Sequence, residues 1–310
     1  MTNPRFSVVI PLYNKEDHII TSVQSVLSQS FDDFEILVVD DGSIDNSIAK
    51  LGDITDPRLI VFSKCNGGVS SARNYGIKHA KGQYIAFLDA DDEYEVNFLQ
   101  EIALLFEGFP QADAGASAYF RCRGNQKTSS FIPANIPISG SIIKGFFKYW
   151  ALDSFFCASS IAVKASYFYE HDKWFPEGEN MGEDQEIWFH IAEQGLLAYL
   201  PECLSNYHMG LENSLTATNK LTNELPFIAR LRKRIVNEPE DSAKMLFLQK
   251  YDIERAINNV LIGNKSEAFK LLRVHGLSFD FIKLKLMLII LLLSPFSAVR
   301  VLRRLRRQAK

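Results

Sequence analysis

Along the first ninety residues, short runs that are apolar throughout recur at Ser7 to Ile10, Glu35 to Val39, Leu59 to Phe62 and Tyr84 to Leu88. They do not alternate with polar positions, as a strand with one wet face would, so they suit strands buried on both faces of a parallel sheet. Between them lie stripes at helical spacing: Ile19, Val23, Val26 and Leu27, then Val69, Ala72, Gly76, Ile77 and Ala80. This βαβαβαβ order predicts a doubly wound α/β sheet, mostly parallel, with helices on both faces. Past Asp92 the pattern predicts a helix over 96–106, a strand over 114–121, a polar loop over 123–139, a strand over 154–163, and a helix from Glu183 to Gly195. From Leu221 onward the pattern is helical only. We place a boundary near residue 216, giving an α/β domain over 1–215 and a helical C-terminal extension over 216–310.

Composition narrows the picture. The chain has 310 residues, 47% of them hydrophobic, which is ample for a buried core and argues against disorder. The net charge of −3 gives no reason to expect nucleic acid as a partner. The four cysteines form no CxxC pair and no secretory leader precedes the first strand, so free thiols in a cytoplasmic setting are expected. Charge is uneven only at the end. Leu286 to Leu293 is an unbroken apolar run, too short to span a bilayer, and Arg300 to Lys310 holds six basic residues and no acidic one. Phe296, Val299, Leu302 and Leu305 repeat between those arginines, which predicts a basic amphipathic helix suited to an anionic membrane surface. A helix packed on the rest of the chain, with a solvated basic face, is the alternative.

In open parallel sheets, ligands bind at the carboxyl ends of the strands. Here the first strand ends in Pro11-Leu12-Tyr13-Asn14 and the second in Asp40-Asp41-Gly42-Ser43. The third leads to Asn66-Gly67-Gly68 and the fourth ends in Asp89-Ala90-Asp91-Asp92. Carboxylates spaced i, i+2 at a strand end suit Mg²⁺ or Mn²⁺ shared with phosphate oxygens; alone, such a pair is often a solvated turn. Asp92 and Glu93 argue against a haloacid-dehalogenase phosphatase. The glycines let a ligand approach the backbone at a helix N-terminus, which attracts anions, although a plain turn into an amphipathic helix has the same pattern.

Four blocks together resemble the inverting glycosyltransferases of family two, which have the GT-A fold. They are Ser7-Val-Val-Ile-Pro-Leu-Tyr-Asn14, Ile36-Leu-Val-Val-Asp-Asp-Gly-Ser43, Asn66-Gly-Gly-Val-Ser-Ser-Ala-Arg-Asn74 and Phe87-Leu-Asp-Ala-Asp-Asp92. Ile44 departs from the threonine usual in the second block. The resemblance implies a nucleotide-binding half over 1–95 and an acceptor half over 96–215. It implies that Pro11, Tyr13 and Asp41 frame the base, with Asp41 accepting from uracil, and that Asp89 meets the ribose side of the donor. Gly67, Gly68 and Arg73 would line the donor pocket, Asp91 would hold the Mn²⁺ or Mg²⁺ beside the diphosphate, and His208 would be a late ligand unless it is an ordinary surface histidine. Asp184, in the Glu183-Asp184 pair opening a helix, would be the general base that deprotonates the acceptor hydroxyl. The Gln-x-x-Arg-Trp block of processive synthases is absent, which favours addition of one sugar to a glycan or lipid-linked acceptor. Two other classes are weighed. A catalytically dead sugar-nucleotide module is disfavoured because Asp41, Asp89, Asp91 and Asp184 are all present. A nucleotidyltransferase would want a Gly-rich basic loop after strand one, where Asn14-Lys15-Glu16-Asp17 stands.

Overall fold

The computed structural model describes residues 3–179, 181–211, 221–236, 242–275 and 280–295. The chain forms two compact units, one of Met1–Lys144 with Ser154–Met209 and one of Gly145–Asp153 with Gly210–Lys310. The boundary expected near 216 and the amphipathic helix expected from Phe296 lie outside the described residues.

The first unit opens as the apolar runs predict: β1 (Phe6–Leu12), α1 (Ile19–Leu27), β2 (Phe34–Asp40), α2 (Ser47–Leu51), β3 (Leu59–Ser63), α3 (Val69–His79) and β4 (Tyr84–Phe87). It continues through β5 (Glu93–Tyr94), α4 (Phe98–Gly108), β6 (Ala114–Arg123), β7 (Gln126–Ser129) and β8 (Ser141–Ile142). β9 (Ile161–Lys164), α6 (Ala165–Glu170), α7 (Glu183–Gln194) and β10 (Leu197–His208) complete it, while α5 (Phe146–Trp150) belongs to the second unit. The strands form one sheet in the order β3-β2-β1-β4-β9-β6-β10-β5, with β7 on β6 and β8 on β10. From β3 to β4 every pairing is parallel. β9 then runs antiparallel between β4 and β6, and β10 lies parallel to β6.

Alternation along β1 sorts the two faces. Phe6, Val8, Ile10 and Leu12 pack with α1 and α4 through Val23, Val26, Phe98 and Ile102. Val9 faces the other way, onto α3, and on that same face Phe87 of β4 packs edge-on against Phe168, Phe175 and Trp188. Pro11 lacks an N–H, yet it sits in a central strand. Val9 accepts from Leu88 N (3.1 Å), so Pro11, two residues on, faces the same side beyond the end of β4, where no ladder partner is needed.

Two boundaries differ from the pattern. The run over 154–163 becomes a strand only at Ile161, because Ala158–Ser160 turns tightly with Cys157 N donating to Ser160 Oγ (2.9 Å), a side-chain bond that competes with the ladder. The polar stretch over 123–139 contains β7, whose four residues are exposed and carry no apolar signal.

The second unit has its own core. Beside α5 the described helices are α8 (Pro226–Ile235), α9 (Ser242–Ile262), α10 (Lys265–His275) and α11 (Ile282–Leu293). Ile253, Ala256, Ile257 and Val260 of α9 pack with Ala268 and Leu271 of α10 and with Leu288, Leu291 and Leu292 of α11. The opposite side of α11 exposes Ile282, Leu286, Met287, Ile290 and Leu293. No described helix is long and apolar enough to cross a membrane.

α3 seats on β1 through a glycine. A Cβ at Gly76 would lie 2.4 Å from Val9 Cγ1. Gly76→Ala is therefore expected to lower stability by about 1–3 kcal/mol through overpacking, read as a reduced urea midpoint; an unchanged midpoint would show that the helix does not depend on this close approach.

Candidate active site

The carboxyl ends of β1 and β4 meet where the strand order turns back, since β1 pairs with β2 on one side and β4 on the other. Such a switch point leaves a crevice. Its first wall is a clasp between two loops. Asn14, in the left-handed region at φ 50°, donates its N–H to Ser43 Oγ (3.0 Å) and accepts from Ile44 N on its side-chain oxygen (2.8 Å). Lys15 N donates to Ser47 Oγ (2.9 Å), and Glu16 N to Asp45 Oδ2 (3.0 Å). Tyr13 stands at this edge with 47% of its surface exposed, while Pro11 is buried.

The second wall is the glycine turn. Gly68 has φ 87° and open space where a Cβ would be, so only glycine holds this backbone without strain. Asp41, 2% exposed, fixes the turn. Its carboxylate accepts from Gly67 N (3.0 and 3.1 Å), Gly68 N (2.7 Å) and Lys64 Nζ (2.6 Å). An acidic group at the start of α3 also meets the positive end of the helix dipole.

Arg73 joins the remaining parts. It is buried, and its Nη2 donates to Asp89 Oδ1 (2.7 Å) while Nη1 donates to Glu183 Oε1 (3.1 Å). Its guanidinium carbon lies 5.3 Å from the Phe175 ring centre, and the neighbouring Asn74 holds Phe175 by exchanging two hydrogen bonds with its backbone (2.8 and 3.0 Å). Burial disfavours the charge of Arg73, yet Asp89, Glu183 and Asp184 raise its pKa above the ordinary arginine value and keep it cationic. Beneath the strand end Asp92 is fully buried, accepting from Ser159 Oγ (2.5 Å) and His208 N (2.9 Å). Burial, reinforced by Asp89 and Asp91, pushes its carboxyl well above the usual range.

α7 begins at Glu183, entered through Gly182 at φ 76°. Asp184 stands half-buried in its first turn and accepts from Gln185 N (2.8 Å). Burial raises the Asp184 carboxyl, and the charge of Arg73 opposes that rise only in part. Glu183 is raised in the same direction by burial and by Asp184. A carboxylate with a raised affinity for protons, placed at a helix N-terminus, is suited to accept a proton from a hydroxyl.

The fit of a divalent cation follows from charge. Asp89, Asp91, Asp92, Glu183 and Asp184 gather against Arg73 and Lys15, and Asp92, raised first by burial, is raised further by Asp89 and Asp91, which marks an excess of negative charge. Asp91 Oδ2 lies 2.5 Å from Lys15 Nζ. His208 Nε2 lies 3.0 Å from Glu93 Oε1, so its imidazole is engaged with Glu93. Among the described residues no three His, Cys, Asp or Glu side chains form a group that could hold a metal ion. A divalent cation on Asp91 would therefore need phosphate oxygens to complete its ligands, the usual habit of Mg²⁺.

The structure thus gathers Asp89, Arg73 and Asp184 into one network, sets Asp41 with Gly67 and Gly68 in a second, and leaves His208 with Glu93. Sequence reasoning did not find the roles of Lys15, Lys64, Asn74, Asp92, Ser159 and Glu183. Asn74 follows Arg73 in the third motif block and Glu183 precedes Asp184; Lys15 and Ser159 carry no local signal, because their partners lie 76 and 67 residues away.

The fold is that of Staphylococcus aureus TarS. The 1–349 fragment solved with UDP-GlcNAc matches at a TM-score of 0.62 and 19% identity, covering 95% of this chain and 83% of that one. A glycosyltransferase of Rickettsia felis is 32% identical over 76% of this chain, which spans 38% of that protein's length. A second, from Haemophilus influenzae, is 27% identical over 71% of this chain and 70% of its own. The minor teichoic acid biosynthesis protein GgaB of Bacillus subtilis is 40% identical over 34% of this chain and 12% of its own length. The chain spans less than half of the length of the Rickettsia relatives. Residues 7–170, more than half of the sequence, match the Glycosyl transferase family 2 profile, and the chain belongs to that family of glycosyltransferases with the GT-A fold.

Proposed function

We propose that this chain transfers one sugar from a UDP-sugar to a hydroxyl of a glycan or lipid-linked acceptor, with inversion and with Asp184 as the base. The observation that carries the reading is the Arg73 bridge, which ties Asp89 at the donor edge to Glu183 beside the base in one buried unit. TarS, solved with UDP-GlcNAc and with UDP, supports a uridine donor, and GgaB supports an envelope polysaccharide as product.

Pro11 and Tyr13 frame the base of the nucleotide. A uracil N–H reaching Asp41 replaces Lys64, the one partner of that carboxylate on a flexible stem. Gly67 and Gly68 admit the donor close to the backbone, and Asp89, steered by Arg73, meets the ribose side. Asp91 would hold a divalent cation, which would supply Lewis-acid neutralisation of the leaving diphosphate; His208 would join it only by leaving Glu93. Asp184 takes the acceptor proton as the oxygen attacks the anomeric carbon. One base and one in-line displacement invert that carbon, by the same logic as inverting glycosidases. The site acts at the cytoplasmic face of a membrane. Ile282, Leu286, Met287, Ile290 and Leu293 of α11 offer apolar surface, and the sequence from Arg300 to Lys310 offers charge.

The reading is tested with UDP-sugars and Mn²⁺. UDP release is expected and is lost in EDTA, and an α-linked donor gives a β-linked product by NMR. Asp184→Asn is expected to cut turnover by about two to four orders of magnitude with UDP affinity near wild type. Loss of UDP binding in this variant would move Asp184 out of the base role.

The pH dependence follows from the direction of the shift. A base works only when deprotonated, so activity is present above its pKa and falls as pH drops through it. The acid limb of kcat/KM is expected above the ordinary aspartate value of 3.8. A limb at or below that value would place the proton elsewhere.

Each basic residue near an anionic surface contributes about 1 kcal/mol, screened by salt. The protein is expected to sediment with anionic vesicles at low salt, less at high salt, and less again with Arg303, Arg304, Arg306 and Arg307 changed to Gln. Indifference to vesicles at low salt would end the membrane reading and leave the catalytic one intact.

A further inference from the structure

Lys15 forms an ion pair with Asp91 at the carboxyl end of β4. Its Nζ lies 2.5 Å from Asp91 Oδ2, and the two side chains are 16% and 17% exposed. Its main chain does not move freely. Lys15 N donates to Ser47 Oγ (2.9 Å), and Lys15 O accepts from His18 N (3.0 Å) and Ile19 N (2.9 Å). The loop is already clasped to its neighbour through Asn14 and Glu16. The turn that carries Asp91 has its own tie to α1, where Ser22 Oγ donates to Ala90 O (2.9 Å), so the ammonium is not its only brace and its four-carbon stem is free to swing.

We propose that Lys15 holds the place of the cation on Asp91 in the donor-free protein and moves onto the diphosphate when cation and donor enter, becoming a residue that stabilises the leaving group. The inference rests on the donor reading above. A divalent ion held by Asp91 would repel an ammonium at contact distance on the same carboxylate, so the two compete for it. The nearest anion to receive it is the diphosphate bound to that same ion. Lysine suits the transfer, being a compact point charge on a flexible stem that binds phosphate without a fixed geometry. In the reaction the bond between the anomeric carbon and the diphosphate oxygen breaks, and its electron pair stays on that oxygen. Lys15 offsets the charge left there; no proton passes through it. Until then the ion pair keeps Asp91 neutralised, so the acidic edge does not repel the incoming diphosphate.

The test compares full-length wild type, Lys15→Gln, Lys15→Met and Lys15→Arg by calorimetry, first with Mn²⁺ alone and then with UDP in saturating Mn²⁺. Removal of the charge is expected to move the two affinities in opposite directions. Mn²⁺ alone binds about tenfold tighter to the Gln and Met variants, which lack the competitor, while UDP binds roughly ten- to a hundredfold weaker, the worth of a charge-assisted hydrogen bond. Lys15→Arg keeps UDP affinity within a few-fold of wild type. Met retains the apolar stem, so agreement between Gln and Met excludes a packing defect, and melting temperatures near wild type exclude misfolding. Two affinities that fall together, or an unchanged UDP affinity, overturn the proposal and leave the donor reading standing. A wild-type protein that binds no UDP in Mn²⁺ overturns both.

Discussion

A guanidinium buried among carboxylates is costly in isolation and hard to replace once in place. Arg73 is 3% exposed, and taking such a charge out of water costs several kcal/mol, recovered only when good partners surround it. Asp89 and Glu183 supply them from two different elements, the turn after β4 and the start of α7. Without the cation between them, these carboxylates would face each other and Asp184 across a poorly solvated space. Removing one partner of such a buried pair typically costs about 3–5 kcal/mol. The planar fork reaches both acids at once and lies near the face of Phe175, which a lysine cannot reproduce. The distance from the turn after β4 to the start of α7 is thus set by the span of one side chain.

The other parts of the site are fixed by shorter links of the same kind. Asp41 caps the glycine turn, Asn14 and Ser43 clasp two loops, and Ser159 reaches both Asp89 N (3.1 Å) and Asp92. Each is a bond between a side chain at one strand end and the backbone or an acid at another. Loops that carry function are free to vary in sequence, yet these are held against rigid strand ends in one arrangement before any ligand arrives.

The sequence made the first half of the fold legible because parallel strands buried on both faces leave unbroken apolar runs. β1 to β4 follow those runs closely, and the helix from Glu183 to Gln194 follows its flanking glycines. Legibility fell where polar side chains decided the backbone: Ser160 delays β9, and the exposed residues of β7 have no pattern to read. In the site, residues in ordered motif blocks were found, whereas partners drawn from distant loops were not. Arg73 shows the difference. Its presence was readable, but its engagement with Glu183, 110 residues away, depends on how α3 and α7 stack on one face of the sheet. His208 shows the reverse, a plausible ligand by position whose ring the fold turns to Glu93.

The place of β9 bears on how the chain must be assembled. β9 pairs with Lys164, Val163 and Ala162 against Tyr84, Ile85 and Ala86, and on its other edge against β6. A ribosome completes β4 some seventy-five residues before it delivers that partner, counting from Phe87 to Ile161. For that interval β4 is a bare sheet edge, open to pairing with a neighbouring chain. The acidic turn that follows β4 has no Ser159 to hold Asp92 until the same segment arrives. The first ninety-five residues therefore hold β4 with only one of its two neighbours, β1. A nascent chain that ends before Ile161 carries all four motif blocks on a sheet whose β4 edge is still unpaired.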